Sequence, residues 1–460
     1  MKKTKIVCTL GPSSRNKTML TAMVQAGMNV ARLNFSHGSY EEHGFNINLI
    51  KEVRKQLNVA LPIMLDTKGP ELRIKTFKNG KVELKEGQEF IFTTDEIIGD
   101  EHIVSVSYKG LAGDMKAGDT ILLNNGLLIF KVEKVVGNNI HTKVIVGGIT
   151  SDKKSMFVPD KHLSMTYLSE QDIKDIEFGF SQDIDMIACS FVSCAQDILD
   201  IRALAKKHGK ERVKLIAKIE SRTGVDNIDE ILAVTDGLMI ARGDMGVEIP
   251  YEELPHIQKL LAEKCRKAGK FCITATEMLE SMITQARPTR AEITDVANAI
   301  YDGTSAIMLS GESAAGKYPL EAVQAMSRIA LETEKFLKME LGRHNMSVIS
   351  SNDALAHAGS TLAESVNAKL IIAHTEFART AELLSRFRSD VHIIGMTANE
   401  KTYRFLGPIW GVEPCLVKDV ETIENFIKMA RELALSRGCK KGDNVVVISG
   451  KYNFVYLLAL

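Results

Sequence analysis

The chain has 460 residues, of which 45% are hydrophobic and 25% charged, and it carries 58 Lys+Arg against 58 Asp+Glu. At roughly 150 residues per domain, this length predicts about three globular domains. A chain without a basic excess is a poor candidate for a general nucleic-acid or anionic-membrane binder. No apolar stretch approaches the ~20 residues of a membrane span.

The seven cysteines lack the close pairing of a zinc site, and most lie inside apolar runs. Such cysteines are typical of reduced thiols that pack as small hydrophobic side chains. The apolar run after the basic start, residues 6–10, is too short for a signal peptide. We therefore expect a cytoplasmic protein.

Eight short apolar runs alternate with amphipathic helical patterns before residue 335, which favours a parallel α/β fold. Eight βα units predict a (β/α)8 TIM-type barrel. The helical pattern of residues 16–26 ends at Gly27, a common helix stop. The predicted strands are residues 5–10, 29–33, 62–65, 184–189, 214–219, 237–241, 271–275 and 305–309.

Residues 68–162 interrupt this pattern, because they alternate with a period of two between Gly and Asn turns. We predict an antiparallel β-barrel domain, inserted between the third and fourth barrel strands. The rest, residues 1–67 and 163–340, is the predicted catalytic barrel, near the typical length of about 250 residues. Since the insertion leaves from the carboxyl end of a strand, where barrel enzymes carry out chemistry, we expect a lid.

A third segment, residues 345–460, again alternates helices and strands and predicts a C-terminal α/β domain. A long helix from residue 319 to about 339 and a polar linker near residues 342–352 precede it. The predicted helices are 353–366, 378–388 and 422–436, and the predicted strands are 369–374, 391–396, 444–449 and 454–460.

Polar residues follow six of the eight predicted barrel strands. A lone charge at a strand end is more often a solvated loop residue, but six strands with this feature are harder to explain in that way. Because the carboxyl ends of barrel strands meet at one face, we expect these side chains to converge. The segments are 31–37, 65–68, 217–220, 241–244, 275–277 and 310–312.

The residue types at this face suit phosphoryl chemistry. Lys218 and Glu220, two apart on a strand, point to the same side. Glu220 and Asp244 could hold Mg²⁺ or Mn²⁺, and Lys218 would then stabilise negative charge on an oxygen beside it. Arg32 offers a bidentate fork for phosphate or carboxylate, and the N–H groups of Gly243 and Asp244 could hold an anion. A purely structural Lys218–Glu220 pair would leave Asp244 and Arg32 unexplained.

Two other patterns carry less weight. Residues 311–317 match most of a Walker A sequence, but Tyr318 follows where a P-loop needs Ser or Thr for Mg²⁺. His37, His43 and His162 show no metal-ligand spacing, and we interpret them as loop residues.

Five segments together resemble the pyruvate kinase family, and they span the whole barrel. That family has the same order of three domains, with a β lid inserted in the barrel. The segments are residues 4–12 (TKIVCTLGP), 29–38 (NVARLNFSHG), 65–73 (LDTKGPELR), 241–250 (ARGDMGVEIP) and 276–323.

The resemblance implies a glycolytic enzyme that transfers the phosphoryl group of phosphoenolpyruvate to ADP, giving pyruvate and ATP. It also implies Mg²⁺ or Mn²⁺ and K⁺ as cofactors, and a homotetramer. Lys218 would stabilise the enolate, Arg32 would contact the transferring phosphate, Arg73 would be catalytic, and Thr276 would lie near the carbon that receives the proton.

The resemblance further implies three sets of binding residues. Substrate would contact Ala241, Arg242, Gly243, Asp244, Thr276, Ser310 and Glu312. The divalent cation would be held by Glu220 and Asp244, and K⁺ by Asn34, Ser36, Asp66 and Thr67.

The chain also departs from the family pattern in the barrel and lid. Glu277 replaces a usual Gln, which adds a negative charge near the substrate. In the lid, Asn124 and Asn125 stand where two Asp precede Gly, and residues 156–161 replace a Leu-Pro-Gly-type hinge. These changes bear on lid closure and nucleotide contact rather than on the fold.

The third domain departs further. Family effector sites use a Thr-x-Ser-Gly-x-Ser/Thr phosphate loop, whereas here Phe377 and Ala378 occupy the Ser and Gly positions. The long loop that completes that site is also missing. Because a bulky Phe would weaken a phosphate nest, we expect that fructose 1,6-bisphosphate does not activate the enzyme there.

Two alternatives remain open. Another barrel that handles phosphoenolpyruvate or pyruvate could use the same Mg²⁺ and Arg groups, but it would need neither the lid nor the 276–323 segment. A non-catalytic paralogue kept as a binding or regulatory subunit would fit the lid changes. Such a protein would be expected to lose one of the retained Lys218, Glu220, Asp244, Arg32 or Thr276.

Overall fold

The structure is a computed structural model that describes residues 2–159, 161, 163–337, 346, 348, 350–419 and 422–460. The predicted domain limits at residues 162, 340 and 345 lie outside these described residues, as does His162. The same holds for part of the predicted linker near residues 342–352.

The first five elements begin the barrel, and their helix ends follow the sequence signals. The Asn16 side chain accepts the Met19 N–H, and Gly27, at φ 122°, ends the first helix. Ser39 and Glu42 form a capping box on the second helix. The elements are β1 (Lys5–Thr9), α1 (Lys17–Ala26), β2 (Val30–Asn34), α2 (Tyr40–Leu57) and β3 (Ile63–Asp66).

The inserted segment has its own hydrophobic core, in which Phe90, Phe92 and Phe130 are fully buried and contact one another. A core of this kind lets the insertion fold around itself. Its elements are β4 (Lys81–Leu84), β5 (Glu89–Thr93), β6 (Ile103–Ser105), α3 (Leu111–Asp114), β7 (Thr120–Leu123), β8 (Leu128–Val136), β9 (Asn139–Val146), β10 (Gly148–Ser151) and β11 (Met156–Phe157).

The inserted domain differs in detail from the predicted antiparallel barrel. Its six-stranded sheet runs β11-β7-β8-β9-β5-β6, with β4 and β10 as a separate pair. β5 and β6 are parallel. The sequence pattern did not predict this, because the alternation of side chains indicates the two faces of a strand and not its direction. Isolated bridges pair Ile74 with Val106, next to β6, and Arg73 with Ser155, next to β11. The segment at residues 73–74 therefore contacts both edges of this sheet.

The remaining barrel elements follow, and eight parallel strands close in the order β1-β16-β15-β14-β13-β12-β3-β2, which confirms the barrel prediction. Short 3-10 turns cover Tyr251–Glu253 and Glu280–Ile283. The elements are α4 (Glu170–Ser181), β12 (Met186–Cys189), α5 (Ala195–Lys207), β13 (Lys214–Ile219), α6 (Arg222–Asp226), α7 (Ile228–Val234), β14 (Gly237–Ala241), α8 (Arg242–Glu248), α9 (Leu254–Lys267), β15 (Phe271–Ala275), α10 (Arg290–Tyr301), β16 (Ala306–Leu309), α11 (Gly311–Ala314) and α12 (Pro319–Glu334).

The C-terminal segment is an α/β domain, also as predicted, with sheet order β19-β18-β17-β20-β21 and one antiparallel pair, β20–β21. Its α15 and β19 were not predicted. The elements are α13 (Ser351–Ser365), β17 (Leu370–His374), α14 (Arg379–Ser385), β18 (His392–Thr397), α15 (Glu400–Phe405), β19 (Val412–Leu416), α16 (Ile423–Ser436), β20 (Asn444–Ser449) and β21 (Phe454–Ala459).

This domain packs against the amino-terminal ends of the barrel strands. Lys5 Nζ, at the start of β1, donates to the Val412 carbonyl at 2.6 Å, and Arg404 Nε donates to Asp185 Oδ1 at 2.6 Å. One hydrophobic cluster runs from the barrel interior into the C-terminal domain. The carboxyl ends of the strands are therefore left for chemistry. Among the described residues, no helix combines the length and apolar character needed to cross a bilayer.

Candidate active site

Lys218 lies at the centre of a polar network at the carboxyl ends of β3, β12 and β13. Its Nζ is 3.0 Å from Asp66 Oδ1, 2.6 Å from Ser190 Oγ and 3.1 Å from Glu220 Oε1. Burial disfavours the charge on Lys218, but Asp66 and Glu220 outweigh it and raise its pKa. The site therefore holds a permanently charged ammonium group.

Arg32 joins the same network from β2. Its Nε donates to Asp66 Oδ2 at 2.6 Å, and its Nη1 donates to Thr9 Oγ at 2.8 Å. Burial opposes the charge on Asp66, but Arg32 and Lys218 hold its pKa below the ordinary value. Asp66 thus fixes two cations side by side, an arrangement suited to a multiply charged anion.

Glu220 and Asp244 form the candidate divalent-cation site. Burial and the charge of Asp244, opposed by Lys218, raise the pKa of Glu220 to about 7. Glu220 Oε2 accepts the Phe191 N–H at 2.6 Å, and the buried Oε1 contacts the Lys218 ammonium at 3.1 Å. Two carboxylates that repel each other fit a hard cation such as Mg²⁺ or Mn²⁺.

A cation here would have only these two protein carboxylates. The described part of the chain contains no group of three or more His, Cys, Asp or Glu arranged to hold a metal. Mg²⁺ commonly binds through one or two carboxylates, with waters and substrate oxygens as its other ligands. The donor set therefore fits a cation shared with a substrate better than a structural metal site.

Thr276 follows β15 in a left-handed conformation, at φ 70°, and Glu277 follows it at φ 53°. This region is strained for a β-branched residue. The conformation lets Thr276 Oγ accept the Gly243 N–H at 2.7 Å while donating to the Ala275 carbonyl at 2.5 Å. The hydroxyl thereby joins the β14 and β15 loops, next to Asp244.

Arg242, Ser310 and Glu312 support the loops of this face. Arg242 donates to Asp295 Oδ1 and to the Thr276 carbonyl, both at 2.7 Å. Glu312 is fully buried and accepts the N–H groups of Ser310 and Leu279 at 2.8 and 3.1 Å. We therefore revise the predicted substrate contact of Glu312 to a positioning role, since its side chain has no exposed surface.

The four predicted K⁺ ligands lie close together in the fold. Asn34 on β2 is the register partner of Asp66 on β3, and Asn34 Oδ1 accepts the Ser36 N–H at 3.1 Å. The Thr67 carbonyl accepts the Ser190 hydroxyl at 2.6 Å. These oxygen atoms border the Arg32–Asp66–Lys218 network.

His43 holds the loop that carries Asn34 and Ser36. It lies within α2 and is buried, so the interpretation of His43 as a loop residue was wrong. Its ring stacks on Phe35 with centroids 3.9 Å apart, and its Nε2 donates to the His37 carbonyl at 2.9 Å. The stack and the hydrogen bond fix both sides of Ser36.

Arg73 lies in the inserted domain rather than in the central network. Its Nη1 donates to the Lys153 carbonyl, and its Nη2 pairs with Glu71, both at 2.6 Å. The described contacts therefore hold Arg73 in the inserted domain. A turn of this domain also approaches the barrel: a Cβ added to Gly126 would lie 3.6 Å from Val247 in α8.

Sequence reasoning missed Ser190 and Thr9. Ser190 donates to the Thr67 carbonyl and receives the Lys218 ammonium, and Thr9 receives Arg32. Both stand at the carboxyl ends of barrel strands, β12 and β1. The strand-end rule could have found them, but hydroxyl residues are less conspicuous there than charged ones.

Comparisons with known proteins agree with this geometry. The family model "Pyruvate kinase, barrel domain" matches residues 1–323, and "Pyruvate kinase, alpha/beta domain" matches residues 353–454. A pyruvate kinase of Clostridium perfringens is 45% identical over 98% of this chain and 96% of its own. One of Geobacillus stearothermophilus is 45% identical over 98% of this chain and 78% of its own.

A solved structure extends the likeness to the whole fold. The crystal structure of a pyruvate kinase from Cryptosporidium parvum superimposes with a TM-score of 0.94 at 36% identity, covering 100% of this chain and 96% of that one. With the matched family models and the relatives at 45% identity, the conclusion is plain: the chain belongs to the pyruvate kinase family.

Proposed function

We propose that this chain transfers the phosphoryl group of phosphoenolpyruvate to ADP, giving pyruvate and ATP. The observation that carries the proposal is the buried Arg32–Asp66–Lys218–Glu220 network at the barrel mouth. The bond from phosphorus to the enol oxygen breaks, and an oxygen of ADP forms the new bond to phosphorus. The enolate that leaves takes up a proton and becomes pyruvate.

Lys218 stabilises the enolate oxygen. Its ammonium is held by three oxygen-bearing side chains and remains charged, so the positive charge is in place before the enolate forms. Arg32 contacts the transferring phosphate. Its Nε and Nη1 bind Asp66 and Thr9, while its Nη2 makes no hydrogen bond within the described part of the chain.

Thr276 and the start of α8 bind the substrate carboxylate and serve the proton transfer. A carboxylate oxygen can take the Gly243 N–H in place of Thr276 Oγ, which frees the hydroxyl. The Thr276 hydroxyl then faces the carbon that receives the proton. Ala241, Arg242 and Asp244 shape this loop.

Glu220 and Asp244 hold Mg²⁺ or Mn²⁺, which, when bound, offsets negative charge on the substrate oxygens. Asn34, Ser36, Asp66 and Thr67 would hold K⁺ next to the Arg32–Asp66–Lys218 network. A monovalent cation there reduces the repulsion between the phosphates of the two substrates. Arg73 contributes from the lid when the lid closes over the mouth.

The first test is pyruvate formation from phosphoenolpyruvate and ADP with Mg²⁺, with and without K⁺. Lys218→Met is expected to lower turnover by about 10²-fold or more, since it removes the fixed charge at the enolate. Its Mn²⁺ affinity should stay within a few-fold of the parent value. Lys214→Met is the matched control, because Lys214 lies at the opposite end of β13 and pairs there with Asp236 and Glu382.

Activity lost in Lys218→Met and retained in Lys214→Met would support the proposal. A folded protein that binds Mn²⁺ but forms no pyruvate under any cation would overturn it. That outcome would favour the non-catalytic paralogue. A loss of activity without K⁺ would support the monovalent-cation site.

We also propose that fructose 1,6-bisphosphate does not activate this enzyme through the C-terminal domain. The cavity there, about 570 Å³, is lined by Arg212 and Lys418 and also by the carboxylates Glu376 and Asp419, so the two acidic groups offset the cations that a phosphate would need. Phe377 is 64% exposed and lies over Arg212 at 5.2 Å, and Lys451 pairs with Glu376 at 2.6 Å. A fall in phosphoenolpyruvate half-saturation on adding the sugar, abolished by mutating Arg379, would contradict this.

The assembly and location are proposals as well. We propose a homotetramer, as the family resemblance implies. We also propose a cytoplasmic location, since all seven cysteines are free thiols, as in a reducing compartment. Sedimentation analysis tests the assembly, and a monomer or dimer as the active species would contradict it.

A further inference from the structure

The 190–192 loop, which follows β12, contacts the carboxyl end of β13 through three consecutive residues. Ser190 Oγ lies 2.6 Å from Lys218 Nζ, and the Phe191 N–H donates to Glu220 Oε2 at 2.6 Å. The Val192 N–H donates to the Lys218 carbonyl at 3.3 Å. The loop therefore contacts both charged residues of the candidate site at this strand end.

Phe191 has a left-handed backbone, with φ at 55°. A positive φ is strained for a bulky side chain, and such strain persists only where the surrounding structure enforces it. Side-chain packing does not account for it, because Phe191 is half-buried and, among the described residues, belongs to none of the hydrophobic clusters. The backbone contacts do account for it, since the dihedral angles of Phe191 set the direction of its own N–H relative to that of Val192.

Two glycines enclose the 190–192 loop at close range. A Cβ added to Gly69 would lie 2.9 Å from both the Cβ and the carbonyl oxygen of Ser190, and a Cβ added to Gly224 would lie 2.6 Å from the Val192 carbonyl oxygen. Glycine is the residue that allows backbones to approach this closely. The fold therefore holds the residues on both sides of Phe191 and leaves the loop little room to relax.

The Phe191 N–H fixes one oxygen of a carboxylate whose other oxygen faces Lys218. Glu220 is 1% exposed, and its Oε1 lies 3.1 Å from Lys218 Nζ. Within the described part of the chain, Phe191 supplies the one backbone N–H that donates to Glu220. Hydrogen bonds to metal-binding carboxylates orient them, and their loss typically lowers metal affinity about 10- to 100-fold. The loop is therefore placed to determine how Glu220 faces the cation.

We propose that the left-handed conformation of Phe191 positions Glu220 for the divalent cation. The N–H holds the carboxylate in one orientation before Mg²⁺ or Mn²⁺ binds, so the ligand is already ordered when the cation arrives. Phe191 is thus a positioning residue and not a ligand. The proposal rests on the proposed cation site at Glu220 and Asp244. It requires that the backbone conformation at residue 191 matters more than the side chain.

The test is the Mn²⁺ affinity of the full chain, measured by calorimetry without substrates, in variants that differ in their tolerance of a positive φ. Phe191→Gly and Phe191→Asn adopt this conformation readily. Both should keep the parent affinity, although both remove the aromatic ring. Phe191→Val keeps an apolar side chain, but a β-branched residue strongly disfavours a positive φ. It should bind Mn²⁺ about tenfold or more weakly.

Asn453→Val is the matched control, because Asn453 is exposed and has a φ of 52° in the turn between β20 and β21. It should lower the melting temperature by a few degrees through the same backbone strain, with the Mn²⁺ affinity unchanged.

Two outcomes would overturn the role of Phe191 and leave the cation site in place. One is a Mn²⁺ affinity that falls about tenfold in both Phe191→Gly and Phe191→Asn, since the side chain would then be the determinant. The other is parent affinity in a folded Phe191→Val. A parent protein that binds no Mn²⁺ would overturn the cation site together with this proposal.

Discussion

Protons should compete with the divalent cation for Glu220, so lowering the pH is a direct perturbation of the proposed metal site. Burial, opposed by Lys218 and reinforced by Asp244, raises the pKa of Glu220 from 4.5 to about 7. The cation needs the ionised carboxylate, so its binding releases a proton whenever Glu220 is protonated. As the pH is lowered, the metal affinity should therefore begin to fall at pH values well above the range in which a glutamate usually titrates.

The expected magnitude follows from the ionised fraction. With a pKa of about 7, lowering the pH from about 7.5 to 5.5 reduces the ionised fraction, and hence the apparent Mn²⁺ affinity, roughly 25-fold. With the ordinary pKa of 4.5, the change over the same interval would be only about 10%. The two cases are easily separated.

The assay is Mn²⁺ titration by calorimetry at several pH values, with circular dichroism to confirm that the protein stays folded. Asp244→Asn should weaken binding but also move the inflection to lower pH, because it removes the charge that repels ionised Glu220. Affinity that is flat between pH 5.5 and 7, or an inflection unmoved in Asp244→Asn, would refute the reasoning.

The same shift has a consequence for the metal-free protein. Since the folded pKa of Glu220 lies above the unfolded one, protonated Glu220 favours the folded state. That contribution is fully present below pH about 4.5 and is lost as the pH rises through about 7. Added Mn²⁺ should restore stability above pH 7.

Three further variants test single contacts. Arg404→Met should destabilise the fold by about 2 kcal/mol or more in chemical unfolding, because the buried Asp185 would keep only the longer, 3.6 Å pair with Arg54; a change below about 1 kcal/mol would contradict this. Ser190→Ala removes a 2.6 Å hydrogen bond from Lys218 and should lower kcat about tenfold with KM nearly unchanged, whereas a selective rise in KM would contradict it. His43→Phe keeps the aromatic stack but loses the loop hydrogen bond, so the K⁺ half-saturation should rise several-fold at unchanged Mn²⁺ affinity; an equal change in both would contradict it.

The barrel could be predicted from the sequence because each buried parallel strand is a short apolar run with a polar end. β13, β14 and β15 occur at the residues predicted. β19 was not predicted, because Glu413 and Pro414 interrupt its apolar pattern. Pro is tolerated there, since β19 is an edge strand.

The sequence predicted which residues lie in the candidate site, but not which of them bind one another. Charged strand ends indicated Arg32, Lys218 and Glu220, whereas the pairing of Asp66 with two cations depends on distances that no local pattern contains. The left-handed backbone conformation of Thr276 could not be predicted either, because β-branched residues rarely adopt a positive φ.

The division of hydrophobic cores determines which parts of the molecule can be separated. The inserted domain encloses its own core, so it can be removed, replaced or moved as a unit without opening the barrel. The barrel interior and the C-terminal domain share one cluster, in which Met64 of β3 and Ile371 of β17 both lie. A chain cut before α13 would expose the floor of the barrel to water, so the mouth of the barrel depends on a domain that packs at the opposite ends of its strands.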